Sequence, residues 1–285
     1  MSNGNLKQRL ESCGHYQKFK AYADKILAMS NDSLEKTIAV ALSLSFVCAI
    51  LVSFSAVALK PLQIENKAMD MKRNILDVAG LLTKDTDIHQ AFAELVEEKL
   101  VNLETGEYVD DMDPASYDQR KAAKDPKLSV AIPPEKDIAH IRRKAKIAKI
   151  YLVKKGDKID SIILPVHGYG LWSTMYGFLA LEADGQTVKS INFYDQAETP
   201  GLGGEVVNPK WRALWKGKKV YDENGNVALT LVKGNVDSSK PDAVYKVDAL
   251  AGATLTSNGV SNLIKFWLGE DGFKPFLDKI IRSNG

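Results

Sequence analysis

The pattern of apolar and polar positions changes character several times along the chain. Residues 37–59 carry no charged side chain and are rich in Ala, Val, Leu, Ile, Phe and Ser, a run long enough to cross a bilayer as a helix. All faces of that run are apolar or small, unlike the one-sided stripe of a surface helix. Ahead of it, Leu6, Leu10, Phe19, Tyr22, Ile26 and Leu27 recur among basic and polar residues. That suits an amphipathic helix on a membrane surface or a partner, and equally a loosely ordered tail.

After the run, Pro61 marks a break, and residues 64–82 and 86–103 read as two helical stretches. Asp85 or Thr86 would cap the second, with Ala91, Leu95 and Leu100 on its apolar face. Residues 110–134 are polar and punctuated by Pro114, Pro133 and Pro134, which predicts a linker. From there the pattern shortens: residues 147–153, 159–166, 178–181 and 188–193 are rich in β-branched and aromatic types between Gly-containing turns, as strands are. Residues 203–214 read as a helix with Trp211 and Trp215, and residues 227–232 and 245–247 as further strands. The predicted class is α+β, with a single N-terminal transmembrane helix before a twisted, mostly antiparallel sheet. The divisions are residues 1–36 (N-terminal segment), 37–59 (span), 60–145 (helical and linker region) and 146–285 (sheet domain).

With 285 residues, 45% hydrophobic and 26% charged, the chain is able to bury one good core. Its formal charge is +2, and no Lys/Arg block is interleaved with aromatics, so no nucleic-acid partner is expected. Lys18, Lys20, Lys25 and Lys36 precede the apolar run, and Lys60, Lys67, Lys72 and Arg73 follow it. This equal balance leaves orientation undecided by charge. Ala56-Val57-Ala58 resembles a signal cleavage site, but the run is too long for an ordinary signal and 36 residues precede it, which favours an uncleaved anchor. Cys13 and Cys48 lie before and inside the run, so the large domain is expected to have neither a disulfide nor a thiol metal site.

Candidate chemistry concentrates at Asp248-Ala249-Leu250-Ala251-Gly252-Ala253-Thr254. A strand over residues 243–247 precedes it, and Val260, Leu263, Ile264 and Trp267 follow at helical spacing. A strand, tight turn and helix in that order make an anion site from free backbone N–H groups and the helix dipole. Gly252 and Ala253 let a bulky ligand approach the main chain, and Thr254 projects a hydroxyl able to donate a hydrogen bond or accept a covalent linkage. Ordinary N-capping accounts for the same local pattern. Elsewhere, His15, His89, His140 and His167 are scattered, with no Gly-x-Ser-x-Gly elbow and no His-Glu-x-x-His. A hydrolase or zinc site is therefore disfavoured, no metal is expected, and His167 reads as a turn or packing residue. Asp110, Asp111 and Asp113 read as a solvated loop rather than a cation site. No Gly-x-Gly-x-x-Gly follows a strand, so a nicotinamide site is absent from the reading.

The Asp248 to Thr254 stretch resembles the flavinylation motif of the FMN-binding domain family, Asp-x-x-(Ser/Thr)-Gly-Ala-Thr, whose last Thr carries FMN through a phosphoester. Upstream, His167-Gly168-Tyr169-Gly170-Leu171-Trp172-Ser173-Thr174-Met175 and Glu198-Thr199-Pro200-Gly201-Leu202-Gly203-Gly204 resemble the C subunit of the sodium-translocating NADH:quinone oxidoreductase family. The resemblance spans residues 164–267. It implies an electron-carrier subunit of a sodium-pumping complex, not active on NADH alone, with FMN covalently on Thr254 and the backbone N–H groups near Leu255 and Thr256 holding phosphate oxygens. Glu198, Thr199, Gly201 and Leu202 would form the loop against the flavin ring, and Trp172, Ser173 and Thr174 its other side; plain core packing is the alternative for Leu202 and Trp172. Asp248 would cap or orient the turn, or help recruit the modifying enzyme and its divalent metal.

The same resemblance implies neighbouring membrane subunits bearing an iron–sulfur centre as donor, the FMN-bearing B subunit as acceptor, and a flavin transferase for maturation. It places the N-terminus in the cytoplasm, the anchor in the lipid of a bacterial inner membrane, and the flavin domain exported to the periplasm. One departure stands out: the family usually has Ser or Thr where this chain has Ala251. A small side chain is read as sufficient there. The alternatives are the G subunit of an Rnf-type complex, which shares the domain, and a non-redox membrane-anchored binding or assembly module.

Overall fold

A computed structural model describes residues 14–156 and 158–284, in two units, Met1–Asn66 and Lys67–Gly285. Leu6, Leu10 and Cys13, singled out above, lie outside the described residues. Unit one contains α1 (Gly14–Ala28) and most of α2 (Leu34–Val78). Among the described residues α2 is the one helix long and apolar enough to cross a membrane, and its apolar window is fully exposed. The expected break at Pro61 does not occur, since Pro61 sits inside the helix. Proline removes the hydrogen bond to the carbonyl four residues earlier and its ring crowds that carbonyl, costs that membrane-type helices absorb by local adjustment.

Unit two is built on a five-stranded antiparallel sheet in the order β1-β4-β5-β6-β7. The strands are β1 (Val96–Asn102), β4 (Ile147–Lys155), β5 (Lys158–Tyr169), β6 (Thr174–Glu182) and β7 (Val188–Asp195). Two short strands, β2 (Ser129–Ala131) and β3 (Arg143–Ala145), pair separately beyond α4 (Gln119–Ala122). Successive side chains point to opposite faces. Ile150, Leu152, Ile162, Leu164 and Leu179 enter the larger core, while Tyr151, Val153, Ile163 and Phe178 join the last turns of α2 through Ile75, Leu76 and Val78. Covering both faces explains why these strands read as continuous apolar runs.

The helix expected over residues 86–103 is divided. Helix α3 (Ile88–Leu95) starts at Asp87, whose carboxylate accepts from Gln90 N at 3.1 Å, and gives way directly to β1. The charges that looked helical are cross-strand partners: Glu97 pairs with Lys154 at 2.8 Å and Glu98 with Lys149 at 3.5 Å. A long-range pairing of Val96 through Asn102 with Val153 through Ile147 overrides local propensity.

The C-terminal part supplies the second layer. A 3-10 turn (Gly203–Val207) and α5 (Pro209–Ala213) replace the single helix expected over 203–214, because Asn208 adopts an extended backbone and caps the second piece through Lys210 N. Strands β8 (Thr230–Val232) and β9 (Lys246–Asp248) pair in parallel, and residues Pro241–Tyr245 form a 3-10 turn rather than the start of a strand. Helix α6 (Thr254–Trp267) packs its Val260, Leu263, Ile264 and Trp267 into the larger core, and Trp267 Nε1 donates to His167 O of β5 at 2.6 Å. Helix α7 (Lys274–Asn284) closes the chain.

Candidate functional site

Thr254 is the first residue of α6, and it is exposed. Its hydroxyl bonds to no described residue, and Ala253, at the cap position, supplies no side-chain acceptor. The backbone N–H groups of Thr254, Leu255 and Thr256 meet no acceptor among the described residues, since the first bond into this helix is Ser257 N to Ala253 O at 3.0 Å. An uncapped N-terminus with free donors and the positive end of the dipole is an open anion site. The N-capping reading does not describe Thr254.

The turn before it is held from outside. Asp248 accepts from Val236 N at 2.7 Å through its carboxylate and from Trp211 Nε1 at 2.9 Å through its carbonyl. It orients the turn and caps no helix amide. Ser257 Oγ accepts from Leu250 N at 3.0 Å. Gly252 has φ +70, a left-handed conformation that side chains disfavour, and a Cβ there would stand 3.0 Å from Leu202 Cδ2. Ala251 is exposed, and the turn's shape is set by its neighbours.

Beneath this surface Glu198 ties three segments together. Its buried carboxylate accepts from Thr256 Oγ1 at 2.6 Å, from Leu171 N at 3.1 Å, from Trp172 N at 3.0 Å and from Ser173 N at 3.3 Å. Burial pushes the carboxyl up, but the Thr256 hydroxyl and the three amides outweigh it and hold it below the usual carboxylate range. Gly203 must lack a side chain here, because a Cβ would lie 2.5 Å from Thr256 Oγ1 and 3.0 Å from Glu198 Oε2.

The residues of the two upstream blocks thus divide by position. Trp172 is 65% exposed and Leu202 42%, which removes core packing as their role, and Leu255 joins them at 57%. Trp172 Nε1 donates to Thr199 Oγ1 at 3.1 Å, and Ser173 Oγ accepts from Ala197 N at 2.8 Å. Gly201 is exposed with φ +76, and Thr174 is half-buried at the start of β6. An apolar rim therefore stands at the surface, and the polar members of the loops brace it. Sequence reading missed Val236, Trp211, Ser257 and the Leu171 amide as supports; only the Gly203-Gly204 pair signalled a close approach. His167 stacks on Tyr176 at 5.2 Å and lies 4.8 Å from Trp267. Burial, with help from the Arg120 charge, lowers its pKa to about 4, as suits a packing residue kept neutral.

Residues 170–269 match the FMN-binding domain family. The chain is 50% identical over 251 residues to the C subunit of the Na(+)-translocating NADH-quinone reductase of Pseudomonas aeruginosa, covering 87% of this chain and 96% of the relative. It is 51% identical to the protein of the same name from Vibrio vulnificus, covering 88% and 97%. The chain belongs to this C-subunit family. Its fold resembles the crystal structure of Shewanella oneidensis NqrC, with TM-score 0.69, 37% identity, and coverage of 75% of this chain and 97% of that one. The C subunit from Parabacteroides distasonis gives TM-score 0.59 at 27% identity, covering 77% and 96%. Matches over nearly the whole length of these C-subunit relatives favour this family over the Rnf-type G subunit.

Proposed function

We propose that the chain bears FMN as a phosphoester on Thr254 and passes electrons between neighbouring subunits of a Na(+)-translocating NADH-quinone reductase. The redox role, FMN as cofactor, membrane association and the other subunits as partners follow from the family and the matched domain. The observation that carries the assignment to Thr254 is its exposed hydroxyl on the first turn of α6, beside three amides, none of these groups having a partner among the described residues.

The residues present fit the group. Amides of Thr254, Leu255 and Thr256 would hold the phosphoester oxygens, while Trp172, Leu202 and Leu255 offer apolar surface to the ring. FMN, when bound, supplies the electron-transfer chemistry. The chain's own residues bind and orient: Gly252 lets the turn close, Asp248 fixes it through Val236, and Glu198 holds the Trp172 loop to α6.

Residues 37–59 of α2 would form the single span in a bacterial inner membrane, with the N-terminus cytoplasmic and the flavin domain on the periplasmic side; that domain takes in β1 and the end of α2 ahead of residues 146–285. Electron donor and acceptor would be iron–sulfur-bearing membrane subunits and the FMN-bearing B subunit, and a flavin transferase would load the group. Thr254→Val coexpressed with the transferase should lose in-gel flavin fluorescence after denaturing electrophoresis and still fold, whereas Thr256→Val should stay fluorescent. A fluorescent Thr254→Val with a dark Thr256→Val would relocate the acceptor.

A further inference from the structure

The match to the Pseudomonas relative takes in 96% of that protein but only 87% of this chain, so this chain carries residues the relative lacks. Helix α1 (Gly14–Ala28) is a feature that the flavin site does not use. At about 100° per residue, Tyr22, Ala23, Ile26 and Leu27 share one arc of roughly 140°. Lys18 and Lys25 border one edge of that arc and Lys20 the other, with Ala21, Asp24 and Ala28 on the far side. Tyr22 is 62% exposed and Leu27 69%, with Ala23 and Ile26 half-buried between them, so among the described residues the large side chains at both edges of the apolar face stand open.

What lies beside that face follows from the chain's path. The end of α1 is held at the start of α2: Lys36 Nζ donates to Leu27 O at 3.1 Å, to Met29 O at 2.9 Å and to Asn31 Oδ1 at 2.8 Å. Ser33 Oγ accepts from Lys36 N at 3.3 Å. The uncharged run begins at residue 37, immediately after this closed turn. A helix fixed there, with an apolar arc edged by lysines, has the design of one lying in the interface, its stems along the acyl boundary and its ammonium groups among headgroup phosphates.

We propose that α1 is an in-plane membrane helix whose apolar arc enters the bilayer surface and whose Lys18, Lys20 and Lys25 bind the phosphates of anionic phospholipids. This rests on α2 spanning the bilayer. The lysines add attraction to an anionic leaflet beyond the apolar contact. The helix thereby fixes the N-terminal end of the anchor against the surface, a contact the charge balance around the run leaves unassigned.

The test uses the full chain, with Cys13→Ser and Cys48→Ser, in vesicles of phosphatidylcholine alone or mixed with phosphatidylglycerol. Spin labels are placed one at a time through Tyr22→Cys, Leu27→Cys, Ala21→Cys, Ala28→Cys and, as a control inside the run, Val52→Cys. Collision with oxygen and with a water-soluble nickel chelate is measured. Labels at 22 and 27 should favour oxygen and those at 21 and 28 the chelate. Immersion at 22 and 27 should deepen with phosphatidylglycerol and lose that dependence on Lys18→Gln, Lys20→Gln, Lys25→Gln. Water exposure at all four α1 positions with a lipid-exposed label at 52 would overturn the proposal and leave the span intact. Protection of 22 and 27 from both reagents would assign the face to protein and overturn it equally. A water-exposed label at 52 would instead remove the span on which it rests. Immersion indifferent to lipid charge would overturn the headgroup contact.

Discussion

Thr256→Val keeps a β-branched side chain and deletes one hydroxyl, the donor to Glu198 Oε2 at 2.6 Å. Thr256 is 1% and Glu198 4% exposed, so water does not replace the donor. The carboxylate retains the amides of Leu171, Trp172 and Ser173, which keeps the loss to a single hydrogen bond. A bond to a charged group is worth about 1.5–3 kcal/mol, and about 2 kcal/mol lowers Tm by roughly 4–8 °C in a domain of this size class. Thr254→Val, by contrast, removes an exposed hydroxyl without a partner and should change stability by less than about 0.5 kcal/mol. The assay is thermal unfolding of the full chains in detergent by tryptophan fluorescence, all expressed without flavin transferase so that flavin binding does not contribute. Because the folded Glu198 carboxyl is held below its ordinary 4.5, its stabilisation is present above that pH and lost as pH falls through the folded value. The gap between wild type and Thr256→Val should therefore narrow in acid. Equal melting of Thr256→Val and wild type at neutral pH, or an equal loss in Thr254→Val, would refute the role given to the Glu198 tie.

Gly203→Ala places a methyl 2.5 Å from Thr256 Oγ1 and should destabilise by about 1–3 kcal/mol, measured by the same melts; a neutral result would mean the loop yields freely. His167, lowered to about 4 from 6.5, stays neutral in the fold while the unfolded chain takes up a proton. Stability should thus be lost as pH is lowered from 6.5 to about 4, by up to ~3 kcal/mol, and an imidazole titrating near 6.5 by NMR would contradict the packing role. Ala251→Ser should leave the extent of flavinylation unchanged, since Asp248, Leu250 and Gly252 shape the turn; a marked gain by mass spectrometry would show that the hydroxyl is recognised.

The strands of the central sheet were legible because both faces are covered, leaving Ile150 through Val153 and Ile162 through Leu164 nearly uniformly apolar. Strand β1 was not: Glu97, Glu98 and Lys99 carry helical propensity, and only pairing with β4, about fifty residues away, reveals Glu97 and Glu98 as cross-strand partners of Lys154 and Lys149. Pro61 misled in the opposite direction, since a single proline suggests an end and the apolar helix continues to Val78. The strand, small-residue turn and helix order around Thr254 was legible, and its exposed first-turn position is where that order puts it; the local pattern alone did not separate an anion site from an N-cap, and only the resemblance singled out its hydroxyl. The division of labour around it was not. Glu198 and Trp172 sit in similar-looking loops, and only the fold buries one as a tie and leaves the other standing in the rim. Val236 carries no motif at all, yet its amide holds Asp248.

Peptide mass spectrometry on the protein purified from its native membrane and denatured tests the central claim most directly. An FMN-phosphoryl mass localised to Thr254 within the peptide spanning residues 248–265 is the expected result. An unmodified peptide, with the transferase shown active on another subunit in the same membranes, would contradict a covalent flavin at this helix terminus.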